Sequence, residues 1–265
     1  MQQYLRATGR NPVLVNLDPA NDHIPYECDV SVTDLVSLQE VMEEYNLGPN
    51  GGLLFCMETL EANFEWLKDK VEAFDQHESH FVFDFPGQVE LFTNHESVKD
   101  LIKKLERELH FRLTVVHLAD GTFCREPARF ISLATLTLQS MLRLECPQVN
   151  LMSKFDLFKS LDSSESDFPL TFYADCQNLQ LLADKTPNPA LTEAIASLID
   201  DFGLLSLIPF AVEDKECMTF VLQEIDKANG FVFGGLTAGN ESIFETAMSS
   251  DNREEYLESM TQKYM

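Results

Sequence analysis

Short apolar runs that close on a polar or acidic residue recur along this chain, with amphipathic stretches between them. They cover residues 13–17, 80–84, 113–118, 148–152 and 205–210. Their length and their Val, Leu and Phe content read as buried strands. The intervening segments have helical spacing, as in 58–75, where Phe64, Leu67, Val71 and Phe74 share a face. Further helices are expected over 95–109, 191–202 and 214–229, and over 127–142, where Pro127 supplies a helix start. Strand–helix alternation of this kind predicts an α/β fold: a mostly parallel sheet with helices on both faces. Ligands of such sheets sit beyond the carboxyl ends of the strands. Attention therefore goes to Asp18, to Asp84-Phe85-Pro86-Gly87-Gln88, to Asp120, to Ser153-Lys154-Phe155-Asp156, and to 210–214.

Smaller signals refine the outline. Gly9 reads as the stop of a helix that opens the chain. Ser37 and Glu40 have the spacing of a capping box for a helix running to about Asn46. The serine-acid run 162–167 reads as a surface excursion. One domain is expected over 1–235, followed by an acidic tail over 236–265 with at most one short helix.

Charge narrows the function classes. With 19 basic and 44 acidic residues the chain carries a formal charge of −25. Nucleic-acid phosphate and anionic membrane are repelled by such a surface, so neither is an expected direct partner. The six cysteines form no C-x-x-C pair and have no histidine cluster beside them. That argues against structural zinc and a disulfide framework, and for reduced thiols in the cytoplasm. No apolar run has the length of a membrane span, and the N-terminus has no apolar signal core.

Four stretches carry the chemistry. Asp84 closes a strand and is followed by Pro86-Gly87-Gln88. An acid there can hold a metal-bound water at a nucleotide phosphate, and the glycine N–H can reach a γ-phosphate; a helix cap plus a turn would give the same residues. Ser153-Lys154-Phe155-Asp156 follows the fourth strand. Its Asp can accept both N–H groups on the edge of guanine, a pair adenine does not offer, while the Lys stem covers the base. An ordinary surface Lys-Asp pair is the competing account. Asp18, before Pro19, could orient water or a metal shell, or form an Asx turn. Leu47-Gly48-Pro49-Asn50-Gly51-Gly52 reads as a rigid turn exposing backbone, with Asn50 its one side chain of polar reach.

As a set, these motifs resemble the GPN-loop GTPase family: NLDPA over 16–20, LGPNGGL over 47–53, DFPGQVEL over 84–91 and VNLMSKFDL over 149–157. PYEC over 25–28 and DKANG over 226–230 add support, and the likeness is greatest to the GPN-loop GTPase 2 branch. The resemblance implies a P-loop-type fold binding GTP and Mg2+, working as a homodimer or as a heterodimer with a relative. It implies that Gly48, Pro49 and Asn50 reach toward the partner's phosphates, where Asn50 holds the departing phosphate. Asp84 and Gly87 match the metal and γ-phosphate motif, and Gln88 is placed to help position water. Ser153, Lys154, Phe155 and Asp156 match the guanine reader, and Asp18 matches an acid acting on the attacking water. For eukaryotic members it further implies assembly and nuclear import of RNA polymerase II, with subunits or assembly factors as partners and shuttling from cytoplasm to nucleus.

One family motif does not occur in these residues: G-x-x-x-x-G-K-[ST]. The family carries it upstream of the strand matched by 13–17. The expectation is a chain that starts within the helix after that loop, short of it by roughly 20–30 residues, the remainder of a βαβ unit. An interior strand would go with them, leaving open edges on its neighbours. Loss of the phosphate-binding Lys and the metal-holding Ser/Thr would cut hydrolysis by several orders of magnitude. An incomplete gene model, an internal-start isoform or a degenerate paralogue would each produce this. The leading reading is thus a dimeric GTP-hydrolysing switch. The alternatives are a catalytically incompetent dimerisation or adaptor module giving Asn50 in trans, and an acidic chaperone for a basic client.

Overall fold

The computed structural model describes residues 1–21, 23–76, 78–158, 168–231 and 252–265. The run 162–167 lies outside them. The chain forms two compact units, Met1–Phe111 and Arg112–Met265. Every strand pair described is parallel, and the strands fall into two three-stranded sheets, one in each unit.

In the first unit the sheet order is β2-β1-β3, with β1 Asn11–Asn16, β2 Val30–Ser31 and β3 Ser79–Asp84. β1 is the middle strand and is buried from Pro12 to Asn16, as its apolar run demands. Its register with β3 pairs Asn16 with Asp84, so both strands end at one level. Helix α1 (Gln2–Ala7) feeds β1, with Gly9 at a left-handed φ of 80° where the chain reverses. After β2 comes a 3₁₀ turn and then α2 (Leu38–Tyr45), closed by left-handed Asn46. Ser37 precedes α2 but its side chain makes no cap hydrogen bond, so the capping box expected there does not form.

The glycine-proline stretch differs from its sequence reading. Only Leu47 and Gly48 form the turn; Pro49 opens α3 (Pro49–Ala62), with Asn50, Gly51 and Gly52 inside its first turn. The single helix expected over 58–75 is in fact the end of α3 plus α4 (Phe64–Glu72), divided at Asn63. Phe64, Leu67 and Val71 are buried as their spacing predicts, while Phe74 falls beyond the helix. A Cβ on Gly52 would lie 2.8 Å from Leu38 Cδ1 and 3.0 Å from Met42 Cγ. The missing side chain is what lets α2 rest on α3. Helices α5 (Val89–Thr93) and α6 (Ser97–Glu108) complete the unit, α6 burying Val98, Leu101, Ile102 and Leu105 on one stripe.

The second unit has sheet order β4-β5-β6, with β4 Val115–Asp120, β5 Gln148–Ser153 and β6 Ile208–Pro209. β6 is far shorter than the apolar run 205–210, because only Ile208 and Pro209 pair with β5. Helix α7 (Pro127–Leu144) follows a 3₁₀ turn over Gly121–Arg125, and α8 (Leu170–Asp175) precedes α9 (Pro189–Phe202). α10 (Lys215–Asn229) is capped by Asp214, whose Oδ1 accepts from the Glu216 and Cys217 amides. In the acidic C-terminal stretch, α11 (Asn252–Tyr264) buries Tyr256, Leu257 and Met260. β3 and β4 each form an outer edge of their own sheet. β4 leaves Val116 and Leu118 exposed, Leu118 by 62%.

All six cysteines are free, and Cys56, Cys124, Cys176 and Cys217 are buried. Burial pushes the Cys56 thiol up to about 11 and Cys124 to about 12. Among the described residues no helix is long and apolar enough to cross a membrane.

Candidate functional site

In the first unit Asp18, Asp84, Gly87 and Gln88 stand at or just after the ends of β1 and β3, which lie at one level. Buried Asn16 makes the corner: its Nδ2 donates to the Asp18 carbonyl at 3.1 Å and to Ser31 Oγ at 3.1 Å, and its Oδ1 accepts from the Asp18 amide. Asp18 Oδ1 accepts from the Ala20 amide at 2.9 Å, the Asx turn that Asp before Pro favours. Asp18 Oδ2 makes no hydrogen bond among the described residues, so the turn leaves that oxygen open. The Leu17 amide donates to the Asp84 carbonyl at 2.8 Å, locking the two strand ends together.

The Asp84 carboxylate is exposed, and Tyr26 donates its hydroxyl to Asp84 Oδ2 at 2.6 Å. Burial, then the Asp84 hydrogen bond and charge, and finally the charge of Asp18 all raise the Tyr26 phenol's pKa. One phenol thus senses both acids. Tyr26 belongs to the PYEC stretch but carries no periodic or spacing signal that would tie it to Asp84, 58 residues away. Beyond Asp84, Pro86 is buried while Gly87 is exposed with nothing within 4 Å of a Cβ placed on it. Gln88 stands at the N-cap position of α5 without a side-chain cap bond, and its Oε1 is buried with no hydrogen-bond partner among the described residues. Gly48, Pro49 and Asn50 are exposed at the start of α3, and Asn50 makes no side-chain hydrogen bond among the described residues.

In the second unit β4 and β5 end in register, Asp120 opposite Ser153. Ser153 Oγ donates to the Ala119 carbonyl at 2.9 Å, tying the two ends. Lys154 adopts a left-handed φ of 58°, a sharp corner that turns the chain away from the strand. Its Nζ donates to Asp120 Oδ2 at 2.9 Å, while Asp120 Oδ1 accepts from the Thr122 amide and hydroxyl. Burial alone would raise the Asp120 carboxyl, but the bonds from Thr122 and Lys154 outweigh it and hold it below its usual range. Gly121 allows a close approach here: a Cβ on it would lie 2.9 Å from the Ser153 carbonyl oxygen. Phe155 is buried, and its amide donates to the Phe210 carbonyl at 3.2 Å. Asp156 is exposed, and its carboxylate has no partner among the described residues.

The unit therefore presents an exposed carboxylate two residues from a lysine paired with a carboxylate of its own. In the sequence Asp120 is only a strand end; its hold on Lys154 needs the β4–β5 register. Gly121 gave no sequence signal beyond being a glycine after a strand.

Residues 1–231 match a family model described as a conserved hypothetical ATP binding protein. The chain is 41% identical to GPN-loop GTPase 2 of Danio rerio, over all of this chain and 86% of that protein. It is 42% identical to the GPN-loop GTPase QQT1 of Arabidopsis thaliana, over 90% of this chain and 81% of the relative. Among solved structures, the apo GTPase PAB0955 of Pyrococcus abyssi superposes with a TM-score of 0.66 at 20% identity, over 85% of this chain and 88% of that one.

Proposed function

Because the chain belongs to the GPN-loop GTPase family, we propose that it binds GTP and takes part in its hydrolysis. The observation that carries this reading is the Asp156 carboxylate, without a partner among the described residues, next to a Lys154 held by Asp120. Asp156 accepts the two N–H groups on the guanine edge, and the Lys154 stem lies over the base. The family model is described by ATP and the relatives by GTP. Asp156 favours guanine, because adenine presents no such pair of donors.

A magnesium nucleotide fits the first unit on one observation. Gln88 Oε1 is a buried acceptor with no donor among the described residues, and it follows in sequence the open Gly87 and the exposed Asp84. Asp84 would hold Mg2+, and the ion when bound supplies positive charge against the phosphate oxygens. The Gly87 N–H would donate to the terminal phosphate, and Gln88 Oε1 would accept a hydrogen bond from the incoming water. Asp18 keeps one oxygen for that water, since the other is committed to Ala20. Asn50, exposed at the start of α3, offers its amide donors to the departing phosphate of a partner protomer. The proposal extends to a homodimer or a heterodimer with a relative, and to a role in assembly and nuclear import of RNA polymerase II.

The test is Asp156→Asn in the full-length protein. Hydrogen bonds to a charged group are worth about 1.5–3 kcal/mol each, so GTP affinity should fall by about ten- to a hundredfold or more. Xanthosine triphosphate, whose ring carries an acceptor where guanine has its amino group, should gain relative to GTP. A GTP-over-ATP preference unchanged by the substitution would sink the assignment.

A further inference from the structure

Helix α11 lies beyond residue 231, where the family model's match ends. It is firmly seated on the second unit. Tyr256 stacks on Phe220 of α10 with ring centres 4.0 Å apart, and its hydroxyl donates to the Pro209 carbonyl. Met260 Sδ lies 3.3 Å from Cys217 Sγ. At the front of the helix Arg253 pairs with Asp175 at 3.0 Å.

The last turn does something different. Lys263 Nζ reaches Asp214 Oδ2 at 2.9 Å and Glu216 Oε2 at 2.6 Å, and the Tyr264 hydroxyl donates to the same Asp214 oxygen at 3.2 Å. The other Asp214 oxygen caps α10. Asp214 ends the short segment that leaves β6 at Phe210, and that segment is stitched to the base-reading turn. The Phe210 amide donates to the Met152 carbonyl at 2.8 Å, and the Phe155 amide to the Phe210 carbonyl. The Tyr264 ring meets Phe155 edge to face at 6.3 Å. Phe155 stands between Lys154 and Asp156. Its ring has two aromatic neighbours, Phe158 stacked at 5.1 Å and the Tyr264 ring of α11.

We propose that Lys263 and Tyr264 are positioning residues for guanine recognition: the last turn of α11 holds the segment 210–214 and the Phe155 ring, and through them sets Asp156 and Lys154 on the base. This rests on the guanine-binding reading of residues 153–156. A recognition carboxylate works only when its support fixes it to within about 0.5 Å. Phe155 is the support: Phe158 stacks on its ring, the Tyr264 ring meets it edge to face, and the Phe210 carbonyl accepts from its amide. By linkage, a nucleotide that prefers the seated turn must in return favour the docked helix.

The experiment uses the full-length protein and fluorescent GDP, with hydrogen exchange followed over residues 252–265. GDP should slow exchange in α11. Tyr264→Ala should weaken GDP binding about two- to tenfold, the range an edge-to-face aromatic pair supports, and lower the guanine-over-adenine ratio. Lys263→Met should do the same, with Lys263→Arg restoring it. Arg253→Ala, at the far end of the same helix, should lower the melting temperature while GDP affinity stays at the wild-type value. Should Tyr264→Ala fail to fold, the wild-type exchange pattern and the Lys263→Met and Lys263→Arg pair still decide. Exchange in α11 that ignores bound GDP, or Arg253→Ala weakening GDP as much as Lys263→Met, would overturn the proposal and leave α11 a stabilising element. Wild-type protein that binds no GDP at all would instead overturn the guanine reading beneath it.

Discussion

Asp120 shows how much of this site is decided by one side chain's partners. Its carboxyl is held below the usual range because Thr122 and Lys154 favour its charged form. A depressed folded pKa gives stability that is present above the unfolded value, near 3.9, and lost as pH falls through the folded one. Asp120→Asn should therefore flatten the acid limb of the stability profile below about pH 4, measured by urea melts across pH. It should also release Lys154 and weaken guanine-nucleotide binding. At this scale the strand-end rule made Asp18, Asp84, Asp120 and Asp156 legible. Tyr26 was not, because a hydrogen bond between residues 58 apart leaves no local pattern.

At the scale of elements, periodicity identified most helices and strands, and tertiary packing moved their ends. Pro49-Asn50-Gly51-Gly52 looks like a breaker, since each glycine costs a helix about 1 kcal/mol. It is nonetheless helical: Pro49 suits the first helical position, and Gly52 gives Leu38 and Met42 their place. The Ser37 capping box fails because spacing alone does not orient a hydroxyl. β6 is clipped to Ile208–Pro209: the Leu207 amide donates to the Ala174 carbonyl and the Phe210 carbonyl is taken by the Phe155 amide, both outside the ladder. The contact between the 3₁₀ turn after β4 and the end of β5 yields a prediction. Gly121→Ala would push a methyl into the Ser153 carbonyl, a backbone atom that cannot swing away. Destabilisation of about 1–3 kcal/mol is expected, read as a lower urea midpoint, together with weaker GDP binding from a displaced Lys154. An unchanged midpoint would mean that the β4–β5 corner yields more readily than its geometry implies.

For the molecule as a whole, charge is the governing quantity. A surplus of 25 acidic groups repels itself, and that repulsion is long-ranged at low salt. Raising ionic strength from about 0.01 M to about 0.15 M shortens the Debye length from about 30 Å to about 8 Å. The melting temperature should rise over that interval, even though exposed pairs such as Arg6–Glu27 weaken. A flat or falling curve in a scanning-fluorescence series would show that ion pairs outweigh the net repulsion. The sequence by itself determined the α/β class, the parallel strands, the family and the identity of the acids at the strand ends. Those properties follow from residue spacing, which is local. Only the tertiary structure decided that the strands fall into two sheets, that Tyr26 holds Asp84 and Asp120 holds Lys154, and that α11 backs Phe155. These depend on register and on packing between segments far apart in the chain, where no local spacing records the partner.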